Sequence, residues 1–317
     1  MKNTGVSIPT VNRRAAATGF LETLFDVFRV RPSFAVGYAI VFLSIAVAIL
    51  APWLAPYDPI QTNGSMALRP PSAEHWFGTD AVGMDIFSRT LYAPRVDITI
   101  ALFGTTISAL IGSLLGAWVG YFSNTRSLNS KIGFVVMRIA DVMQSFPVFV
   151  FAIALVASLG QSMSSVVAAI AFVNTPIYLR LMRSQVVVIR ERLFVQAAIV
   201  AGISELKIII RHILPNAMGP IMAQFSVNIA WSILLTAGLS FIGAGVRPPT
   251  PELGSMIAGG FQNIVTGQWW PSVIPGSVLA VIVSGFTLVG ASIETLTNKD
   301  KMKKLSLDIA MHKRGER

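Results

Sequence analysis

Residues 97–121 read DITIALFGTTISALIGSLLGAWVGY. After its first residue the stretch carries no charge. A helix needs about 20 apolar residues to cross a bilayer core, so this run is predicted to span a membrane. Gly112, Gly116 and Gly120 recur every four residues on one face of that helix. Small residues at this spacing let two helices approach closely. The face meets either a partner subunit or another helix of the same chain.

Five further stretches have the same character, at roughly 34–54, 143–160 with a preceding amphipathic stretch, 164–183, 217–243 and 273–296. The whole composition agrees. Hydrophobic residues make up 53% of the 317 and charged residues 13%, against about 25% charged in a soluble domain. The first span begins too far from the N-terminus, and is too long, for a cleaved signal peptide; it reads as an anchor that stays in the protein.

The placement of lysine and arginine sets the sidedness. The N-terminal tail, the loop after the second span, the loop after the fourth and the C-terminal tail together hold 21 of the 25 basic residues. The alternate loops hold only Arg69, Arg89, Arg95 and Arg247. Six spans with both termini in the cytoplasm satisfy the positive-inside rule at every loop, and five or seven would break it. The net charge of +10 therefore reflects cations gathered on one membrane face rather than a nucleic-acid partner. The predicted fold is an all-α integral membrane protein of six transmembrane helices. Residues 1–33 form a cytoplasmic tail, 34–296 the membrane domain and 297–317 a basic cytoplasmic tail.

Several chemistries are excluded. There is no cysteine, hence no thiolate or disulfide chemistry. Three histidines, His75, His212 and His312, lie far apart, which speaks against a metal site or a membrane-embedded enzyme. Acidic residues in or near spans are Asp97, Asp141 and Glu294. All three are expected near span ends, with Asp141 paired to Arg138 one helical turn away. An ion-coupled secondary transporter, the main alternative, would place carboxylates at mid-bilayer. No glycine is followed by lysine, so the chain has no phosphate-binding loop of its own. If it drives active transport, the motor is a separate chain.

The loop after the fourth span, roughly 184–216, points to that motor. It contains Phe194-Val195-Gln196-Ala197-Ala198-Ile199-Val200-Ala201-Gly202, nine residues, and then His212-Ile213-Leu214-Pro215-Asn216. Two short helices are predicted. Gly202 takes the left-handed conformation that ends the first, and Ser204 caps the second. The second stops near His212, because Pro215 disfavours helical geometry at Leu214. Ala197 and Ala198 leave a low surface able to enter a cleft.

This segment resembles the EAA loop of ABC-importer permeases, with glutamine at position 196 where the motif is named for glutamate. The resemblance implies an ATPase-docking site of Gln196, Ala197, Ala198, Gly202, His212, Leu214 and Pro215. Other segments are similar to the second, C-type membrane subunit of the dipeptide/oligopeptide/nickel transport family. They are His75-Trp76-Phe77-Gly78-Thr79-Asp80, Gly83-Met84-Asp85 with Ser88-Arg89, Leu239 to Val246, Pro248-Pro249-Thr250-Pro251 and Pro275-Gly276. The chain departs from the family pattern in its last span and at Glu252-Leu253, where Ser-Trp is common.

The resemblance implies a permease subunit without a catalytic site or cofactor of its own, in a bacterial inner membrane. Its implied partners are a related permease, two cytoplasmic ATPases that bind ATP and Mg, an extracytoplasmic binding protein and membrane lipid. Peptides or related small solutes are the implied cargo, with nickel complexes among the alternatives. The segment between the last two spans, with Trp269 and Trp270 at the interface, is expected to fold back at the outer surface toward the binding protein.

Overall fold

A computed structural model describes residues 26–123 and 128–313. The predicted tail cations Lys2, Arg13, Arg14, Arg314 and Arg317, and Arg126, lie outside them. Among the described residues there are helices, short turns and no strand beyond one isolated bridge, Thr79 to Asp85.

Five helices are long and apolar enough to cross a membrane. They are α1 (Pro32–Leu54), α2 (Ile86–Phe122), α5 (Met163–Arg190), α7 (Glu205–Phe241) and α9 (Trp270–Thr297). The predicted span at 143–160 is not one straight rod. It is a pair, α3 (Leu128–Ser145) and α4 (Val148–Leu159), bent by 97°. Pro147 is the cause: it disfavours helical geometry at Phe146 and has no N–H to continue the ladder. At about 1.5 Å per residue, the 12 residues of α4 reach well short of a bilayer core. The sixth crossing exists only if the bent pair is counted as one span.

The remaining helices are α6 (Leu193–Val200), α8 (Leu253–Phe261) and α10 (Lys299–Lys313). Helix α10 occupies most of the predicted basic tail. Its Leu305 packs on Val27 and Phe34 beside the start of α1, and Arg31 lies 3.7 Å from Asp308. At the end of α9, Thr297 abuts Gly219 near the start of α7. The described ends of the chain thus meet at one end of the bundle, as an even number of crossings requires.

The glycine face of α2 is settled by packing. A Cβ built on Gly112 would lie 2.6 Å from Thr175 O, on Gly116 2.4 Å from Leu179 O, and on Gly120 3.0 Å from Arg183 O. The stripe therefore seats α5 of the same chain. Polar contacts reinforce this three-helix centre: Thr105 Oγ1 lies 3.1 Å from Ser232 Oγ on α7, and Asn174 Nδ2 of α5 donates to the same hydroxyl at 3.2 Å. Such interhelical hydrogen bonds act as glue where no hydrophobic drive separates helix from lipid. Meanwhile α1 leaves Phe42, Leu43, Ile49 and Trp53 exposed, an apolar flank that suits lipid or another membrane helix.

At the far end, residues 55–85 form a self-bonded knot on the N-terminus of α2. Asp85 caps the helix, accepting from Ser88 N and Ser88 Oγ at 2.7 Å each, and its other oxygen lies 2.8 Å from His75 Nδ1. Asp80 Oδ1 accepts from Val82 N and Met84 N at 3.0 and 2.9 Å. The His75–Asp80 motif is thus the scaffold of this knot. Trp270 is buried: its Nε1 donates to Thr79 O at 3.1 Å and ties the knot to α9. Trp269 stays exposed.

Helix α8 folds back between α7 and α9. Gly254 makes the close approach possible, since a Cβ there would lie 2.3 Å from Ala237 O. Glu252 caps α8, accepting from Gly254 N at 2.8 Å and Ser255 N at 2.7 Å. Beside it is Asp97, fully buried within the 37-residue α2 at the start of the predicted span, where Oδ2 accepts from Leu253 N at 3.2 Å. Capping is the physical reason for both carboxylates: the first N–H groups of α8 have no partner within their own helix. Replacing Glu252 with alanine is expected to cost about 1–2 kcal/mol of α8 stability. Hydrogen–deuterium exchange over 253–261 should accelerate roughly tenfold, and unchanged protection would show that the cap is dispensable.

Candidate functional site

The segment outside the long helices at the crowded end is shorter than predicted. Residues 184–190 belong to α5 and 205–216 to α7, so the connector proper is 191–204. Within it α6 forms as expected. Its C-terminus is a Schellman motif: Gly202 N donates to Ile199 O at 3.0 Å and Ile203 N to Ala198 O at 3.2 Å. Gly202 has φ +70°, the left-handed value this motif needs. Ile203 packs back on the cluster that includes Ala198, supplying the apolar contact that accompanies such caps.

The second short helix does not stop at His212. Residues 205–208 are α-helical, Ile209–Ile213 make a π turn, and the α-helix resumes at Leu214 and runs to Phe241. Pro215 therefore starts a helical segment rather than ending one. Proline is tolerated in a first turn, where its missing N–H has no obligatory partner, and the wider π turn ahead of it absorbs the misfit. Ser204 occupies the capping position, but its side chain makes no cap hydrogen bond.

The two faces of α6 do different things. Val195 and Ala198 turn inward and join Tyr121 and Phe122 of α2, Val186 and Ile189 of α5, and Ile208, Ile209 and Ile213 of α7. Ala198 is 6% exposed, so it seats the loop and offers no surface for a partner. Gln196 and Ala197 face outward, and Gln196 Nε2 donates to Arg190 O at 3.0 Å. The outward face is completed by Leu193 and Val200, each 88% exposed. These two were not among the sequence-predicted site residues. Their signal was present in the helical spacing, because 193, 196, 197 and 200 share one face while 195 and 198 share the opposite one. His212 is half-buried, Leu214 packs against the loop's apolar seat, and Pro215 is exposed on α7.

This seat is a mechanical junction. Arg190 stacks over the Tyr121 ring at 5.2 Å, tying the end of α5 to the end of α2. Farther along, Arg180 Nη2 bonds Asp141 Oδ1 at 2.8 Å and ties α5 to α3. That contact is shorter than the predicted Arg138–Asp141 pair, at 3.5 Å. Helix α2, whose 37 residues run about 55 Å at 1.5 Å per residue, connects this seat to the knot at the opposite end.

Comparison with known proteins gives the following. A family profile described as binding-protein-dependent transport system inner membrane component matches residues 112–300. A second, the N-terminal TM domain of oligopeptide transport permease C, matches residues 20–71. The probable D,D-dipeptide transport system permease protein of Escherichia coli (strain K12) is 41% identical over 257 residues, covering 81% of this chain and 84% of the relative. The dipeptide transport system permease protein of Alkalihalophilus pseudofirmus is 40% identical over 255 residues, covering 80% and 82%. Among solved structures, a chain of the MetNI methionine ABC transporter in an inward-facing conformation superposes with TM-score 0.48 at 17% identity, covering 67% of this chain and 94% of that one.

Proposed function

The chain belongs to the binding-protein-dependent transport system inner membrane components, as a multi-pass permease subunit of an ABC importer, and from that premise we propose how it is powered and what it carries. The outward stripe of α6 docks in a groove of a cytoplasmic ATPase. A second, related permease completes the pathway with its own ATPase, and an extracytoplasmic binding protein delivers solute to the knot end. ATP and Mg are bound by the ATPases; this chain contributes no bond chemistry. The crowded end is cytoplasmic, because the basic loops and tails of the sequence belong there.

One observation carries this reading: an eight-residue helix, α6, that exposes Leu193 and Val200 while its other face is anchored to α2, α5 and α7. A solvated connector has no need of two nearly bare apolar side chains on one rigid face. Closure of the ATPases draws α6 inward, and α2 and α5 carry that displacement as rigid bodies toward the opposite end. Peptides are the solute class, on the ground that relatives are named for dipeptide and D,D-dipeptide transport.

Among the described residues, the buried Asp97–Glu252 neighbours are the feature that fits ion coupling instead. Both Glu252 oxygens and Asp97 Oδ2, however, accept from backbone N–H groups at the start of α8, a capping role that needs no transported ion and leaves only Asp97 Oδ1 without a partner. The test is co-purification followed by reconstitution. The affinity-purified chain should bring down a P-loop ATPase, and proteoliposomes supplied with the binding protein should accumulate a dipeptide only with ATP inside the ATPase compartment. Uptake that persists without ATP, or a chain that captures no ATPase, overturns the reading.

A further inference from the structure

A pocket of about 190 Å³ opens at the knot end, between the 80–89 segment, Pro248, α8 and Pro271. Arg89 forms part of its wall and is only 6% exposed. Its Nη1 donates to Pro59 O at 2.8 Å and Pro249 O at 3.2 Å, and lies 2.7 Å from Met84 Sδ. Its Nε is enclosed and has no hydrogen-bond partner; Asp80 Oδ2, at 3.9 Å, approaches it without bonding. Its Nη2 has no partner either, and it is not enclosed. A clamp that only held loops together would direct these donors to carbonyls, because a buried charged donor left unpaired is costly.

Asp80 has the complementary surplus. Oδ1 is occupied by two backbone N–H groups, whereas Oδ2 makes only the 3.9 Å approach to Arg89. The pocket wall therefore carries an ion pair, Arg89 with Asp80, whose Nη2 and Oδ2 make no hydrogen bond and lie side by side. Around them are Val82, Met84, Met256 and Pro271, an apolar lining. Adjacent opposite charges with an apolar surround match a zwitterion bearing an apolar body. An amino acid carries its ammonium and carboxylate on one carbon, as side-by-side partners require, whereas a dipeptide separates them by a peptide unit.

We propose that this pocket binds a free apolar α-amino acid, its carboxylate on Arg89 Nη2 and its ammonium on Asp80 Oδ2. A ligand there bridges the knot to α8. The placement of the site on the solute-entry side rests on the importer reading above; the binding itself does not.

The probe is radiolabelled L-leucine, in equilibrium dialysis against the purified transporter without its binding protein. Saturable binding is expected. Leucinol, which lacks the carboxylate, and 4-methylpentanoate, which lacks the ammonium, should each compete at least about tenfold more weakly, the factor lost with one charged contact. Arg89→Gln should weaken binding by a similar factor. Because Arg89 also ties the loops, Gly259→Phe is the decisive variant. A carbon added at Gly259 meets nothing within 4 Å, and Gly259 lines the pocket, so the ring fills the site without moving backbone. It should abolish leucine binding. No leucine binding by the wild-type transporter, or binding unchanged in Gly259→Phe, overturns the proposal. ATP-driven dipeptide uptake in the same preparation reports separately on the importer reading: uptake with no leucine bound sinks the pocket alone.

Discussion

A Gly202→Pro variant should reach the membrane at wild-type levels and lose ATP-driven uptake by at least about tenfold, the scale of a coupling free energy of 1–3 kcal/mol. Proline fixes φ near −65°, and Gly202 sits at +70°. The substitution also removes the N–H that donates to Ile199 O. Both bonds of the Schellman motif are then lost, and α6 can no longer hold its angle to α7. No atom would crowd a Cβ at this position within 4 Å, so the damage is one of backbone conformation and stays local. Gly202→Ala should therefore lose much less, since its penalty is the left-handed conformation alone, about 1 kcal/mol. Val200→Asp probes the surface without touching the turn: it should weaken ATPase capture while α6 keeps its seat. Ala198→Asp does something different, because it buries a carboxylate among Tyr121, Val186 and Ile213 and unseats the loop from within. Wild-type uptake in both Gly202→Pro and Val200→Asp would remove α6 from the coupling path. The readouts are uptake in proteoliposomes, ATPase capture and membrane abundance.

What was legible in the sequence follows from the range of the physics involved. The apolar spans, the left-handed glycine and the short helix before it are local properties, and each was readable from residues within a turn or two. The break at Pro147 was also local, but hydropathy alone counts 143–160 as apolar and does not see a bend. The two faces of α6 required knowing what lies beneath it. Ala198 and Ala197 are chemically identical, and only packing against Tyr121 and Ile208 separates the buried one from the exposed one. Asp97 could not be read as buried from its local sequence. Its partner Glu252 lies 155 positions away in sequence. The π turn at Ile209–Ile213 reversed the meaning of Pro215, which reads as a terminator when the preceding turn is taken to be α-helical. The motif around Gly78-Thr79-Asp80 was visible as a pattern. Its role as a bonded scaffold was not, because its partners Met66 and Arg69 lie about ten residues upstream and Trp270 on another helix.

The second large effect concerns the seam between α2 and α5. Gly116→Val should sharply reduce the yield of folded permease, and Gly112→Val should do the same. A Cβ at Gly116 would stand 2.4 Å from Leu179 O and 2.9 Å from Met182 Cβ. The first of these is backbone, so no rotamer change relieves it; α2 and α5 must separate. Overpacking of this kind costs about 1–3 kcal/mol per substitution, and the displaced helices also forfeit dispersion contacts along the seam. In a membrane those contacts are a main source of helix association, because lipid provides no hydrophobic drive between helices. Separation would also loosen the seat of α6, since Tyr178, Met182 and Val186 belong to the same cluster as Val195 and Ala198. Function should thus fall faster than abundance: the fraction of Gly116→Val permease that survives in the membrane should capture ATPase less well per molecule than wild type. Gly259→Ala is the matched control, because its added methyl group meets open space on another helix and its abundance should be unaffected. Monodispersity on size exclusion and ATPase capture normalised to permease measure both effects. A Gly116→Val protein with normal yield and normal capture would mean that α2 and α5 do not touch along this face, which would move the glycine stripe to an interface with a partner subunit.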